Sequence, residues 1–472
     1  MGRATIKSGT INLLNTIVGA GILAMPFGLK ANGLLFGCIL IVWSSLTSAF
    51  GLYLQNKVAK YTDQRGAVSY FSLAQLTYPK LSIVFDSAIS IKCFGVGVSY
   101  LVVIGDLMPK IMESAKVKPE SILMARNFWI SVFMVIIVPL SYLKKLDSLK
   151  YASFLALFSV VYLICLVLEH YFVRDVDVPG KHIDYFGPIS LTSTLSSFPI
   201  FVFAYTCHQN MFAIINELKP CEKDGSQTRQ SNIIIRNSIC TALVSYLIVG
   251  IFGYLTFGNT VNGNIITLYP KSSISSLIGR LCIVLMVSLS FPLQCHPCRG
   301  SMNHVYHFIT QGVAEYKVRK ADRQNEREGY TTLTSDIESM NDSESAQNES
   351  FVSTTPMEGA QDTDGHDPII VPLTSKRFYI ITTIIVMLSY LVAITVTSLA
   401  HVLAFVGSTG STSISFILPG LFGFLLIKPL GDATKLDTLE KFCKYGGLAL
   451  SIWGVLVMFV CLGATIFLGA TH

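Results

Sequence analysis

The chain has 472 residues, 51% of them hydrophobic and only 14% charged, with a formal net charge of +6. Together with a mean hydropathy of +0.55, this excludes an ordinary water-soluble domain, which carries roughly 25% charge, and points to an all-α polytopic membrane protein. The eleven cysteines exclude a secreted disulfide framework: most, such as Cys38, Cys93, Cys165, Cys207 and Cys282, sit in apolar runs, where a free thiol is a small hydrophobe.

The first apolar run, 9–28, contains VGAGILAMPF, with Gly19, Gly21 and Pro26 inside it and Asn12, Asn15 and Thr16 just ahead. A signal peptide is excluded by the absence of a cleavage site and by ten further spans. A dinucleotide loop is excluded because a third glycine and a βαβ unit are missing. A small-residue helix contact and a deliberately broken helix remain. Spans follow at 33–55 and 83–108, the latter carrying Asp86, Lys92 and Asp106 towards its ends, where they can snorkel to the surface. Spans at 127–143 and 150–171 are plain apolar runs. The span at 193–217 holds Pro199 and the polar run Tyr205-Thr206-Cys207-His208-Gln209-Asn210, too dense to face lipid and suited to lining a hydrated cavity.

Spans at 233–257 and 273–294 come next, the second with Ser288 and Ser290 beside Pro292, where helix packing and ion binding fit equally well. Cys295 and Cys298 form a lone CxxC, weak evidence for a metal. From 314 to 371 the chain turns hydrophilic, opening basic at Lys317, Arg319, Lys320 and Arg323 and then becoming acidic. It cannot bury enough apolar surface to offset ordering, so a disordered loop is expected, either a passive linker or a phosphorylated surface for regulatory partners. Its sequons at Asn341 and Asn348 are glycan acceptors only if it faces a lumen. Spans at 378–399, 403–427 and 446–469 complete eleven. The domain scheme is therefore 1–313 with eight spans, the 314–371 loop, and 372–472 with three.

Basic residues gather in alternate loops: Arg3 and Lys7; Lys57, Lys60, Arg65 and Lys80; Lys144, Lys145 and Lys150; Lys219 to Arg229; the stretch after Cys298; and Lys428 to Lys444. That bias places the N-terminus in the cytosol, and an odd span count puts His472 on the opposite side. The run GSTGSTSIS at 407–415 lacks a P-loop lysine. HExxH, GxSxG and paired intramembrane carboxylates are also absent, so neither an enzyme nor a cofactor, metal or nucleic-acid partner is expected.

The interruptions at Gly19–Gly21 and at 204–208 lie five spans apart. Corresponding broken segments in two halves point to a five-plus-five inverted repeat with a binding site at the breaks, and to a peripheral eleventh span. Half-helix amides there would hold an anionic group. Gly19 and Gly21 would permit backbone conformations closed to residues with a Cβ, and close approach.

GTINLLNTIVGAGILAMPF, CFGVGVSYLVVIGDLMP at 93–109, FVFAYTCHQNMFAIINEL at 201–218, GYLTFGN at 253–259, FPLQCHPCR at 291–299 and GSTGSTSISFILPG at 407–420 resemble the amino acid/auxin permease family. Within it the likeness is to the fungal vacuolar branch that exports amino acids to the cytosol. The resemblance implies the fold of amino-acid/polyamine/organocation carriers, working as a monomer in the vacuolar membrane, with proton-coupled symport of acidic or neutral amino acids. It implies that Thr16, Val18, Gly19, Ala20 and Gly21 hold the substrate's carboxylate and amine, and that Ala204, Tyr205, Thr206, Cys207 and His208 form the facing wall. Asn15 and Ser290 match cation-ligand positions of sodium-coupled relatives, and here would be a vestigial polar pair or one serving proton coupling, with Ser288 beside Pro292 a further coupling candidate. His208 is the strongest titrating candidate, since an ordinary imidazole changes charge near pH 6.5. Two alternatives stay open: proton/amino-acid antiport into the vacuole, and a receptor that senses amino acids without moving them.

Overall fold

The computed structural model describes residues 5–60, 68–143, 150–218, 228–336, 373–429 and 436–469, which form fifteen α-helices and no strand. In chain order these are α1 (Ile6–Ile17), α2 (Met25–Asn32), α3 (Leu34–Ala59), α4 (Tyr70–Thr77), α5 (Ser82–Ser114), α6 (Arg126–Ser141), α7 (Lys150–Val173), α8 (Leu191–Ala204) and α9 (His208–Glu217). They continue with α10 (Thr228–Phe257), α11 (Ile274–Asp336), α12 (Ser375–Thr395), α13 (Leu399–Val406), α14 (Leu418–Leu426) and α15 (Thr438–Gly469). Arg3, Lys144, Lys145, most of the Lys219–Arg229 loop and both sequons lie outside the described residues.

Nine helical stretches among the described residues are long and apolar enough to cross a membrane, and the pair Ile6–Ile17 and Ala20–Asn32, bent by 46°, makes a tenth. The eleventh expected span corresponds to α6, whose sixteen residues fall short of the usual length of about 20. The hydrophilic 314–371 segment is described only at its start. Helix α11 runs on through Asp336, and 337–372 lies outside the described residues.

Helix boundaries follow local chemistry. Thr5 caps α1 by accepting the Ser8 N–H at 3.2 Å, and Ser69 and Ser72 cap α4 reciprocally. Pro26 sits in the first turn of α2, where its missing N–H costs nothing. Gly33 joins α2 to α3 at φ +79°, pressed so close to the 186–187 backbone that an added Cβ would lie 2.8 Å from the Phe186 carbonyl. Between α13 and α14 the helix widens into two π turns, Gly407–Ser411 and Ser413–Ile417, a geometry frequent at functional sites.

The core is built on α5 and the α8–α9 pair: 78% and 83% of the residues in their apolar centres are buried, against 28% in α15. Asp86 and Lys92 of α5 do not snorkel as expected. They are 4% and 2% exposed, because α11 packs along α5 and the π turns close on its other side. Asp106, near the other end of α5, is half-buried and ion-paired to Arg126 at 3.6 Å.

Candidate functional site

Two interrupted helices meet at the centre of the bundle. The first breaks after Ile17, passes through Val18 and Gly19, and resumes as a 3₁₀ turn at Ala20–Ala24 leading into α2. The second breaks after Ala204 and resumes at His208. The breaks touch: a Cβ on Gly21 would stand 2.8 Å from the Ala204 Cβ and 2.9 Å from its Cα. Close approach is therefore what requires glycine at 21. Gly19 adopts φ −135°, not a left-handed conformation, and a Cβ there would meet only the Tyr100 hydroxyl at 3.4 Å. This corrects the expectation that both glycines are needed for backbone conformations closed to other residues.

Each break leaves backbone groups without an intrahelical partner. Among the described residues, the N–H groups of Gly19, Ala20 and Gly21 donate to no acceptor, and neither do those of His208 and Gln209 at the start of α9. The carbonyls that end the half-helices converge instead on one side chain. The Tyr246 hydroxyl of α10 lies 2.8 Å from Ile17 O and 2.8 Å from Ala204 O, with its ring edge-on to Tyr205 at 5.0 Å. Positive amide ends and negative carbonyl ends thus sit together in a low-dielectric interior, the arrangement that suits a small zwitterion.

The structure gathers most of the expected residues here. Val18, Ala20, Gly21, Ala204, Tyr205, Thr206, Cys207 and His208 are buried around the junction, and Asn15, Thr16 and Gly19 are half-buried beside it. Thr16 Oγ1 accepts from Asn210 Nδ2 at 3.0 Å, tying α1 to α9. Thr206 Oγ1 accepts from Ser415 of the second π turn at 3.3 Å. The Tyr205 hydroxyl is buried within reach of the Ser45 side chain. Ser288 and Ser290 stand apart on α11: Ser288 donates to Val284 O within its own helix at 2.6 Å, and neither hydroxyl bonds either break.

His208 is fully buried. Its Nε2 lies 3.2 Å from Ser48 O, so that nitrogen carries the proton, and Nδ1 has no partner. The His208 carbonyl accepts from Gln55 Nε2 at 3.3 Å; the same Gln55 donates to Tyr70 of α4, whose hydroxyl donates to Ile414 O at 3.1 Å. Burial pushes the Tyr70 phenol well above its usual range, so it stays a neutral donor. Just below, Gln209 faces a hollow of about 280 Å³, shared with the Asp86–His304 pair (3.3 Å) and open towards the face where α1 begins.

Sequence reasoning passed over Tyr100, Tyr246, Gln55 and the π turns as site residues. The π turns had a signal in GSTGSTS: Gly407 packs on the Pro199 carbonyl and Gly410 on the α5 backbone, and neither position leaves room for a Cβ. The tyrosines and Gln55 had none, since a lone polar side chain in an apolar helix does not reveal its partner.

The description "transmembrane amino acid transporter protein" fits residues 2–460. The chain is 45% identical to vacuolar amino acid transporter 6 of Saccharomyces cerevisiae, covering 98% of this chain and 99% of the relative. It is 41% identical to vacuolar amino acid transporter 5 of the same yeast, over 99% of each. Among solved structures, its fold is similar to that of Mhp1, a nucleobase-cation-symport-1 family transporter held in a closed conformation, with TM-score 0.54, 11% identity, and 99% and 91% coverage.

Proposed function

The chain belongs to the transmembrane amino acid transporter protein family, and from that premise we propose that it carries amino acids, with protons, out of the vacuole lumen into the cytosol. The observation that carries the reading is the junction of the two breaks, where Gly21 packs on Ala204, the Gly19–Gly21 amides have no acceptor among the described residues, and the carbonyl ends at Ile17 and Ala204 share the Tyr246 hydroxyl. Those amides hold the substrate carboxylate, and the carbonyl ends attract its ammonium. Tyr205, Thr206 and Cys207 form the wall opposite. The two half-helices of each broken pair are the bending elements of alternating access, and the hollow below Gln209 is the route to the cytosol.

In this reading the face where α1 begins is cytosolic and the other lumenal. His208 is the group that passes the coupling proton, with its partnerless Nδ1 as the atom that receives it once the site opens to the lumen. Asn15 lies beside the first break, and Ser288 and Ser290 on α11 are further candidates for the coupling. Acidic and neutral amino acids are the substrate class, in keeping with the charge-poor site.

The test is flux from proteoliposomes of the full chain, each loaded with one labelled amino acid and given an inside-acidic gradient. Efflux that accelerates with the gradient supports the reading. Loading against an outward proton gradient would instead establish antiport. If no amino acid moves while deleting the 314–371 loop abolishes a signalling output, the chain is a receptor.

A further inference from the structure

On the face opposite the start of α1, a second hollow of about 310 Å³ lies between α5, the segment joining α10 to α11, and the start of α13. Asp106 and Lys110 of α5 line it one helical turn apart, the spacing at which opposite charges on a helix ordinarily pair. Here each is drawn away from the other. Asp106 lies 3.6 Å from Arg126 Nε, and Arg126 is itself anchored to the Ala393 and Val396 carbonyls, both at 2.9 Å. Lys110 leans instead towards Glu113 at 3.4 Å. The space between the two charges is left open.

Asn264 supplies the second observation. It lines the same hollow and is 3% exposed; its Nδ2 donates to Asp106 at 3.4 Å and fixes that carboxylate, while its Oδ1 is enclosed with no hydrogen-bond partner among the described residues. Opposite it, Ser398 accepts from the His401 N–H at 3.3 Å, which leaves its own proton to give.

We propose that this hollow is a second amino-acid site, in which Asp106, held in place by Asn264, receives the ligand's ammonium and Lys110 and Ser398 its carboxylate. The class of ligand follows from the donor set: one cationic donor and one anionic acceptor must be met within a few ångströms, as in an α-amino acid zwitterion. The proposal rests on the amino-acid carrier reading only for its purpose, the capture of substrate at the lumenal mouth. The binding chemistry stands by itself.

Binding to the purified full chain tests it, with each of the twenty labelled L-amino acids and the corresponding methyl esters as probes. The wild-type chain binds a second equivalent of its amino acid, and the methyl ester fails to compete for that equivalent because it offers Lys110 no carboxylate. Lys110→Met and Asn264→Leu lose the second equivalent, whereas Lys118→Met, an exposed change on the same face, retains it. Gly21→Ala, which blocks the central junction, retains binding that Lys110→Met then removes. Lys110 is partly exposed, so Lys110→Met decides the matter even if Asn264→Leu misfolds. Binding unchanged by Lys110→Met, or an ester that competes as well as the acid, overturns the site and leaves the hollow to water. A chain that binds at this site yet moves no amino acid supports it while refuting the transport reading.

Discussion

Gly21→Ala tests the junction most directly. The added methyl would sit 2.8 Å from the Ala204 Cβ and 2.9 Å from its Cα, against a comfortable carbon–carbon separation of about 3.5–4.0 Å. No rotamer change relieves this, since one obstructing atom is backbone and the other is fixed to it. The two half-helices must separate by several tenths of an ångström, and overpacking of this kind costs about 1–3 kcal/mol. If that strain falls on the substrate-bound, closed arrangement, turnover drops by about 5- to 150-fold, at 1.36 kcal/mol per factor of ten. The assay is the initial efflux rate of a labelled amino acid from proteoliposomes, normalised to protein that elutes as a single species. The companion change Ala204→Gly removes one obstructing carbon, the methyl, and leaves the backbone carbon in place. The double variant should therefore recover part of the rate, with a coupling of about 1 kcal/mol. Wild-type efflux in Gly21→Ala would refute the reasoning. So would a loss that Ala204→Gly leaves untouched, because the damage would then lie elsewhere.

Tyr246→Phe leaves the Ile17 and Ala204 carbonyls buried without their donor, a penalty of about 1–3 kcal/mol that should appear as a thermal midpoint lowered by a few degrees and slower efflux. An unchanged midpoint measured by fluorescence unfolding would show that the carbonyls have other partners. His208→Asn removes the imidazole whose Nδ1 is left without a partner at the second break, so if that nitrogen carries the coupling proton the rise of wild-type efflux with lumenal acidity should flatten, as read from rates across a lumenal pH series. A pH profile that survives the change moves the proton to another group.

The fold was legible because membrane burial writes itself into composition. Apolar runs separated by basic loops mark helices without any knowledge of their partners. The two breaks were legible for the same local reason, since Gly19, Gly21 and the polar run at His208 are visible departures from an apolar pattern. Long-range pairing was not. Tyr246 bridges positions 17 and 204 from α10, and the charges of α5 are enclosed by helices far away in sequence. The hydrophilic segment after Thr310 shows a different limit. Its low hydrophobicity speaks only to burial, whereas a run such as AEYKVRKADRQNERE satisfies its own backbone and favours helix without a core.

The Tyr246 hydroxyl has one proton and faces two carbonyls at equal distance. At any instant one half-helix therefore ends on an acceptor that is short of a proton, and the shortage alternates between the two. An arriving ammonium carries three. Loading would thus end a local frustration instead of adding a contact to a satisfied site. A substrate lacking the amine would leave that frustration in place, however well its side chain fits.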